Sequence, residues 1–406
     1  MITAIVNTLF LLLFIYLCVN VGYLLFCAIA GNIRRSTKIP PAAAFSNIAV
    51  LITSYREDSI IVNTVSSAVQ HDYPSQHFRV FVAADHLSQQ TIAELQKTGA
   101  EIHALHFEVG SKAKSLNFLL NHIDENNFDI ALILDGDNIM QQGLLHEVNN
   151  AFQNGLHVVQ VHRTAKNTQT PVAVLDALSE EVNNHLFRLA PNNMNLSSSL
   201  IGSGMAFPFK LLKKIYNKPG ILGNPACDRE VDFEMLVAGE KVTYLDHIKL
   251  LDEKVSKTRV YRNQRRRWME SQLMHVKLFF SDWKRVHKKG GDFWHKLFIN
   301  LIPPRLLLIA LFLLATCACI FQLLSHNKIA GVSVTAWLLL FIAYIFSIII
   351  SIPARFYNAK TLKAFLHLPG IFISFLTAAF TVKDKRKEFV HTPKSFTGSA
   401  STKNEQ

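Results

Sequence analysis

The chain predicts an α/β domain with a mostly parallel central sheet, flanked at both ends by transmembrane and interfacial α-helices. Three observations carry this reading. Between about residues 45 and 250, short β-branched runs alternate with polar or amphipathic ones, the signature of βαβ units. Residues 1–33 hold no charge, and three more apolar stretches, Leu306–Ser325, Ile329–Ala354 and Ala364–Val382, lie near the C-terminus. With 406 residues, half of them apolar, there is chain enough for one large core plus these segments.

Leu9–Ala30 is almost wholly apolar, enough to span a bilayer core of ~30 Å at about 1.5 Å per residue. A signal peptide fits less well, because the stretch lacks a basic leading region and is longer than a usual signal core. Strands are expected at Ile48–Thr53, Val80–Ala83, Ile102–Phe107, Ile130–Leu134 and Val158–Val161, with crossover helices at Ile60–Gln70 and Lys112–Ile123. Arg34, Arg35 and Lys38 follow the first apolar span, and Lys284, Arg285, Lys288 and Lys289 precede the second. Positive flanks on both sides place the central segment in the cytoplasm. A full crossing by Ala364–Val382 would put Lys383, Lys385, Arg386 and Lys387 outside, against the same rule. That stretch, broken by Pro369 and Gly370, therefore reads as re-entrant or interfacial, with a fourth crossing as the alternative.

The expected division is a transmembrane helix over 1–33, a catalytic domain over 34–255 and amphipathic interface helices over 256–300. Two transmembrane helices follow over 301–354, then a re-entrant helix and a cytoplasmic tail over 355–406. The net charge of +12 concentrates beside the apolar spans and in RNQRRRW, which suits anionic lipid heads and a phosphate-bearing substrate. No zinc finger, stacking-aromatic motif or detached basic tail points to nucleic acid. Four of the five cysteines, Cys18, Cys27, Cys317 and Cys319, fall in apolar spans and only Cys227 outside them, so neither a disulfide framework nor a zinc site is implied.

The fourth expected strand runs into Asp135-Gly136-Asp137. Ligands of open α/β sheets bind beyond the carboxyl ends of the strands, and two carboxylates there can share a hard divalent cation that holds a diphosphate. A solvated turn capping the strand is the plain alternative. Ser54, Tyr55 and Glu57 follow the first strand and Asp85 the second, so polar groups recur along one edge. Tyr55 can pack on a flat base, while Glu57 and Asp85 accept from base NH groups or ribose hydroxyls. Lys112 and Lys114 open a predicted helix, where the dipole disfavours a cation. That misplacement points to a bound anion or nucleotide, or else to a solvated lysine pair.

The ordered motifs SYRED, ADHLS, SKAKSLN, ILDGDN, GSGMAF, CDREVDF, QRRRW and FVHTPK resemble those of the membrane-embedded family 2 glycosyltransferases, which include cellulose, chitin, hyaluronan and poly-N-acetylglucosamine synthases. The resemblance covers roughly Asn47–Lys394. It implies a GT-A type fold and an inverting transfer from a nucleotide diphosphosugar, usually UDP-linked, onto a growing polysaccharide or a lipid-linked acceptor. Tyr55, Glu57, Asp85, Lys112 and Asp135 would bind the nucleotide, and Asp135 and Asp137 would hold Mg2+ or Mn2+. The family's base lies about eleven residues before a glycine, which from Gly239 gives Asp228, with Glu230 second. Asp232 and Glu234 read as solvated or capping side chains of a helix that starts after Cys227.

Gln264, Arg267 and Trp268 fill the QxxRW positions. Tryptophan offers a face for a pyranose and arginine offsets diphosphate charge, although a lipid-anchoring interfacial helix has the same composition. Arg265 and Arg266 are expected to face lipid. Phe389, Thr392 and Lys394 resemble the gating loop that covers the nucleotide in cellulose synthase, with His391 where valine is usual. Thr53, Arg56 and Cys227 depart from the family pattern, and three or four spans are fewer than channel-forming synthases carry. The implied protein is an enzyme in the plasma or inner membrane, working alone or with partner membrane subunits. The alternatives are a single-addition lipid glycosyltransferase and a catalytically silent nucleotide-sugar-binding subunit.

Overall fold

The computed structural model describes residues 2–33, 39–222, 224, 227–325 and 332–380. An eight-stranded sheet forms the centre: β1 (Ile48–Tyr55), β2 (Phe78–Asp85), β3 (Glu101–Leu105), β4 (Ile130–Asp135), β5 (Ile139–Met140), β6 (Val158–Ala165), β7 (Met205–Pro208) and β8 (Val242–Asp252). Its order is β3-β2-β1-β4-β7-β6-β8-β5. Pairings β1–β2, β1–β4, β2–β3 and β6–β8 are parallel, whereas β4–β7, β6–β7 and β5–β8 are antiparallel.

All five expected strands are present. β1 and β4 are continuous apolar runs because helices cover both faces of the sheet. On one face Ile48, Val50, Ile52, Leu132 and Leu134 pack with Ile61, Val65 and Val148. On the other, Ala49, Leu51 and Ile133 pack with Leu116, Leu119 and Leu120. The crossover helices fall at Ile61–Val69 and Lys112–His122, the second capped by Ser111, whose hydroxyl accepts from the Lys114 N–H. Parallel registry then sets the edge. Tyr55 stands opposite Asp85, and Thr53 opposite Asp135, so the carboxyl ends of β1, β2 and β4 lie side by side.

The helix Ile2–Asn32 carries an apolar stretch, Ala4–Asn32, long enough to cross a membrane. Its buried side, Leu17, Val21 and Leu24 among others, packs on Leu308 and Phe312 of the helix Arg305–Ser325 and on Trp337 and Tyr344 of the helix Val334–Ile349. The last of these is shorter than the apolar run Ile329–Ala354. Ser333 caps its start and the chain turns at Pro353, leaving 16 helical residues, about 24 Å, short of a ~30 Å core. Gly290–Leu301 with Arg305–Phe321, and Ala359–Phe365 with Leu368–Thr377, each make up a membrane-spanning apolar length as a pair, bent by 64° and 45°. The second bend lies at residues 366–367, just before the place the sequence suggests: Pro369 and Gly370 fall in the first turn of the helix Leu368–Phe380 and do not break it, since proline is tolerated at a helix start.

Candidate active site

Three carboxylates meet at the end of the sheet. Asp135 closes β4, Asp137 follows Gly136, and Asp252 closes β8; one oxygen from each lies within 4.8 Å of the others. Asp137 is fully buried. Its Oδ2 accepts from the Glu253 N–H at 2.8 Å, and Asn138 Nδ2 donates to Asp252 Oδ1 at 3.1 Å, tying the two strand ends together. A hard divalent cation takes such oxygen donors, so the set fits Mg2+ or Mn2+. Asp252 has no counterpart among the sequence-based candidates. The available signal was a carboxylate closing an apolar strand, as at Asp135.

Cations surround the cluster. Lys112 Nζ is bonded to Asp135 Oδ1 and donates to the Gly202 carbonyl at 2.7 Å, so it belongs to the carboxylate site rather than to a solvated pair. Lys114 instead ties its own loop, donating to the Val109 carbonyl at 2.9 Å. Lys166 Nζ donates to the Asp137 carbonyl at 3.0 Å. Lys254 and Arg163 stand 2.6 and 3.9 Å from Asp252 Oδ2. Burial works against the Arg163 charge, but Glu180 and Asp252 outweigh it and hold its pKa above the ordinary value.

Gly136 is needed for closeness: a Cβ there would stand 2.3 Å from Glu57 Oε2 and 3.1 Å from Ser54 Oγ. Ser54 Oγ donates to Glu57 Oε2 at 3.1 Å, so the SYRED and DGD turns touch. Arg56 and His86, the residues just after β1 and β2, both take left-handed φ, 55° and 56°, placing strained backbone at the edge where ligands bind. Asp85 is 1 % exposed. Its Oδ1 accepts from the Phe107 N–H at 3.2 Å and lies 2.7 Å from His86 Nδ1, while its buried Oδ2 has no hydrogen-bond partner among the described residues. Gly110 lies against both Asp85 Oδ2 and the Tyr55 ring.

Asp228 is in the first turn of the helix Cys227–Ala238, where the dipole favours a carboxylate. A Cβ on Gly202, which has φ +93°, would be 3.6 Å from Asp228 Oδ2, so Asp228 lies against the turn whose carbonyl Lys112 binds. Glu230 is committed elsewhere: Asn224 Nδ2 donates to it at 3.3 Å and His275 Nε2 is 3.4 Å away. Asp232 and Glu234 are ion-paired rather than solvated or capping. Lys296 Nζ lies 2.7 Å from Asp232, and Glu234 pairs with Lys218 and Arg285. Helix Gly290–Leu301 and residues after Ser281 pack against this helix and supply partners that spacing could not disclose.

QRRRW lies within the helix Thr258–Ser281. Arg267 lies close enough to Asp228 and Asp135 to feel both; burial lowers its pKa and these carboxylates oppose the shift. Gln264 Oε1 is buried with no hydrogen-bond partner among the described residues. Arg265 does not face lipid. It forms an ion pair with Asp176, and its guanidinium lies 4.0 Å from the Trp268 ring centre and 4.6 Å from that of Tyr261. Arg266 is 3.9 Å from Glu270, one turn on. Phe389, Thr392 and Lys394 lie outside the described residues.

A mostly parallel sheet with clustered carboxylates at its carboxyl edge is the framework of a GT-A-like transferase. The family model described as glycosyltransferase like family 2 matches residues 46–271, more than half the chain. The protein belongs to this family and is a glycosyltransferase. It is similar to a mannosyltransferase, PcManGT from Pyrobaculum calidifontis in complex with GDP-Man and Mn2+. The TM-score is 0.60 at 16% identity, over 91% of this chain and 97% of that one. At that identity the likeness shows a shared fold. S. aureus TarS 1-349 in complex with UDP matches with TM-score 0.37 and 13% identity, over 56% of this chain and 65% of that one. No curated protein sequence matches the chain.

Proposed function

We propose that the protein is a membrane-anchored inverting glycosyltransferase that moves a sugar from a UDP-sugar to an acceptor at the bilayer surface. The observation that carries the reading is the convergence of Asp135, Asp137 and Asp252 beside Arg267, with Asp228 across the Gly202 turn. Asp135, Asp137 and Asp252 would hold a divalent cation. Such a cation, when bound, neutralises the diphosphate and makes it a better leaving group.

The residues divide the remaining work. Asp228 takes the proton of the acceptor hydroxyl as its oxygen attacks the anomeric carbon, and the bond from that carbon to the diphosphate breaks on the opposite face. Arg267 stabilises the negative charge that gathers on the departing diphosphate. Lys112 and Asp135 position the nucleotide, with Tyr55 and Glu57 beside the base and ribose. The free Asp85 Oδ2 supports uracil: one acceptor oxygen suits the single N3–H, whereas guanine presents two parallel donors that would need both oxygens.

The uncharged helix Ile2–Asn32 and the apolar helices packed on it support an integral membrane protein, with the basic flanks favouring a cytoplasmic catalytic domain. The product is then a cell-surface polysaccharide or a glycolipid. The short helix Val334–Ile349 and the bent pairs favour an acceptor presented at the membrane over one threaded through a long tunnel. UDP release by purified protein, screened over UDP-glucose, UDP-N-acetylglucosamine and related donors with and without Mn2+, tests the reading. Metal-dependent release from one donor supports it. Release from GDP-mannose in preference to every UDP-sugar would sink the uracil assignment. Product length by mass spectrometry separates a polymer from a single addition.

A further inference from the structure

Asp252 is a candidate metal carboxylate with two protein cations beside it, and one of those cations has somewhere else to go. Lys254 Nζ lies 2.6 Å from Asp252 Oδ2 and also forms an ion pair with Glu180. Glu180 Oε1 in turn accepts from Arg163 Nε at 2.7 Å, and Arg163 Nε is 3.9 Å from Asp252 Oδ2. Arg163 is held in place independently, its Nη1 donating to the Ile201 carbonyl at 3.1 Å and to Ser203 Oγ at 3.3 Å. Three separate elements build this unit: β6 gives Arg163, the helix Pro171–Asn184 gives Glu180, and the end of β8 gives Asp252 and, two residues on, Lys254.

Lys254 is 4 % exposed, so its ammonium cannot withdraw into water. Leaving Asp252 without a second partner would strand a buried charge. Glu180 is that partner, and it keeps Arg163 as its own when the lysine shifts. A lysine seated between two carboxylates, one of them belonging to a divalent-cation cluster, is arranged for exchange.

We propose that Lys254 is an exchangeable counter-cation. It neutralises Asp252 while the site lacks metal, and moves wholly onto Glu180 when a divalent cation takes the Asp252 oxygen. Glu180 is then a positioning residue for metal binding without being a ligand. Because metal must displace a cation, bare metal binds weakly, and the diphosphate supplies the negative charge that tips the exchange. This inference rests on Asp135, Asp137 and Asp252 forming the metal site.

The test is a titration of the full chain with Mn2+, followed by the electron paramagnetic resonance of free Mn2+, with and without UDP. Wild type is expected to bind Mn2+ about tenfold more tightly when UDP is present. Lys254→Met removes the competitor, so binding without UDP tightens, by about tenfold. Glu180→Gln removes the second seat and leaves Lys254 on Asp252, so binding weakens by at least about tenfold. A purely structural role predicts loss of binding in both. Two shifts of the same sign, or no shift in either variant, overturn the exchange. Absence of Mn2+ binding by wild type under both conditions overturns the metal site itself, and the exchange with it. Should Lys254→Met fail to fold, Glu180→Gln with an unchanged melting temperature decides alone: unweakened binding rejects the proposal.

Discussion

The guanidinium of Arg265 lies 4.0 Å from the centre of the Trp268 ring, on the same helix and one turn earlier. One face of the indole is thereby covered by a cation that is itself paired with Asp176. Arg265 thus locks the tryptophan that the motif assigns to the acceptor. Arg265→Lys, which keeps the charge but loses the flat stack, is expected to lower stability by about 1 kcal/mol and to raise acceptor KM more than donor KM. Thermal melts and initial rates against each substrate check this; equal changes in both KM values would argue against the assignment of Trp268 to the acceptor.

Asp228→Asn retains shape and removes the carboxylate proposed as the base. Turnover is expected to fall by roughly 10²- to 10⁴-fold, with UDP affinity by calorimetry unchanged. Retained turnover would move the base elsewhere.

Asp252→Asn tests the residue absent from the motifs. The Mn2+ concentration needed for half-maximal rate should rise at least about tenfold, and chelation of metal should silence both proteins. Parallel metal curves for variant and wild type would remove Asp252 from the site.

At Gly136 the added methyl of alanine would meet the flexible end of Glu57, not the backbone. Gly136→Ala should therefore cost less than about 2 kcal/mol of stability while raising donor KM, because Glu57 must leave Ser54. A large fall in melting temperature with donor KM intact would show the turn to be structural only.

Acid should act through the helix Pro171–Asn184. Burial pushes the Glu181 carboxyl up from the ordinary 4.5, but the hydrogen bond and charge of His162, then Arg355 and Thr164, outweigh it and bring the pKa to about 2. A carboxylate depressed on folding contributes stability that is complete above its unfolded pKa and lost as pH falls toward the folded value. Unfolding free energy should accordingly decline between pH ~4.5 and ~2, and Glu181→Gln should flatten that decline. An unaltered slope in the variant would contradict this.

What the sequence discloses follows from burial. β1 and β4 are sandwiched between helices and so appear as plain apolar runs, whereas β5 has two residues and β7 only four, too short for any period to register. Missing β8 meant missing Asp252, although the chain between Val242 and Asp252 has a strand's composition and ends in a carboxylate. Among three consecutive arginines, the i,i+3 spacing of Arg265 to Trp268 was the clue to which one stacks. Asp232 and Glu234 looked like surface charges because Lys296, Lys218 and Arg285 come from distant or irregular segments.

The N-terminal helix is joined to the catalytic domain by polar bonds as well as by grease. His185, in a π-helical turn, meets the Ala28 carbonyl at 3.0 Å, and Asn193 Nδ2 donates to the Ala30 carbonyl at 3.1 Å. A Cβ at Gly31 would stand 2.4 Å from His185 Nε2, so any larger residue there forces that ring to move. Leu186 and Ala190 are buried in the same contact. Cutting the chain after Asn32 would therefore uncover an apolar floor and strip the hydrogen bonds that Ala28, Ala30 and Asn32 make with the rest of the chain. What looks like a detachable tether is a wall of the domain it packs against.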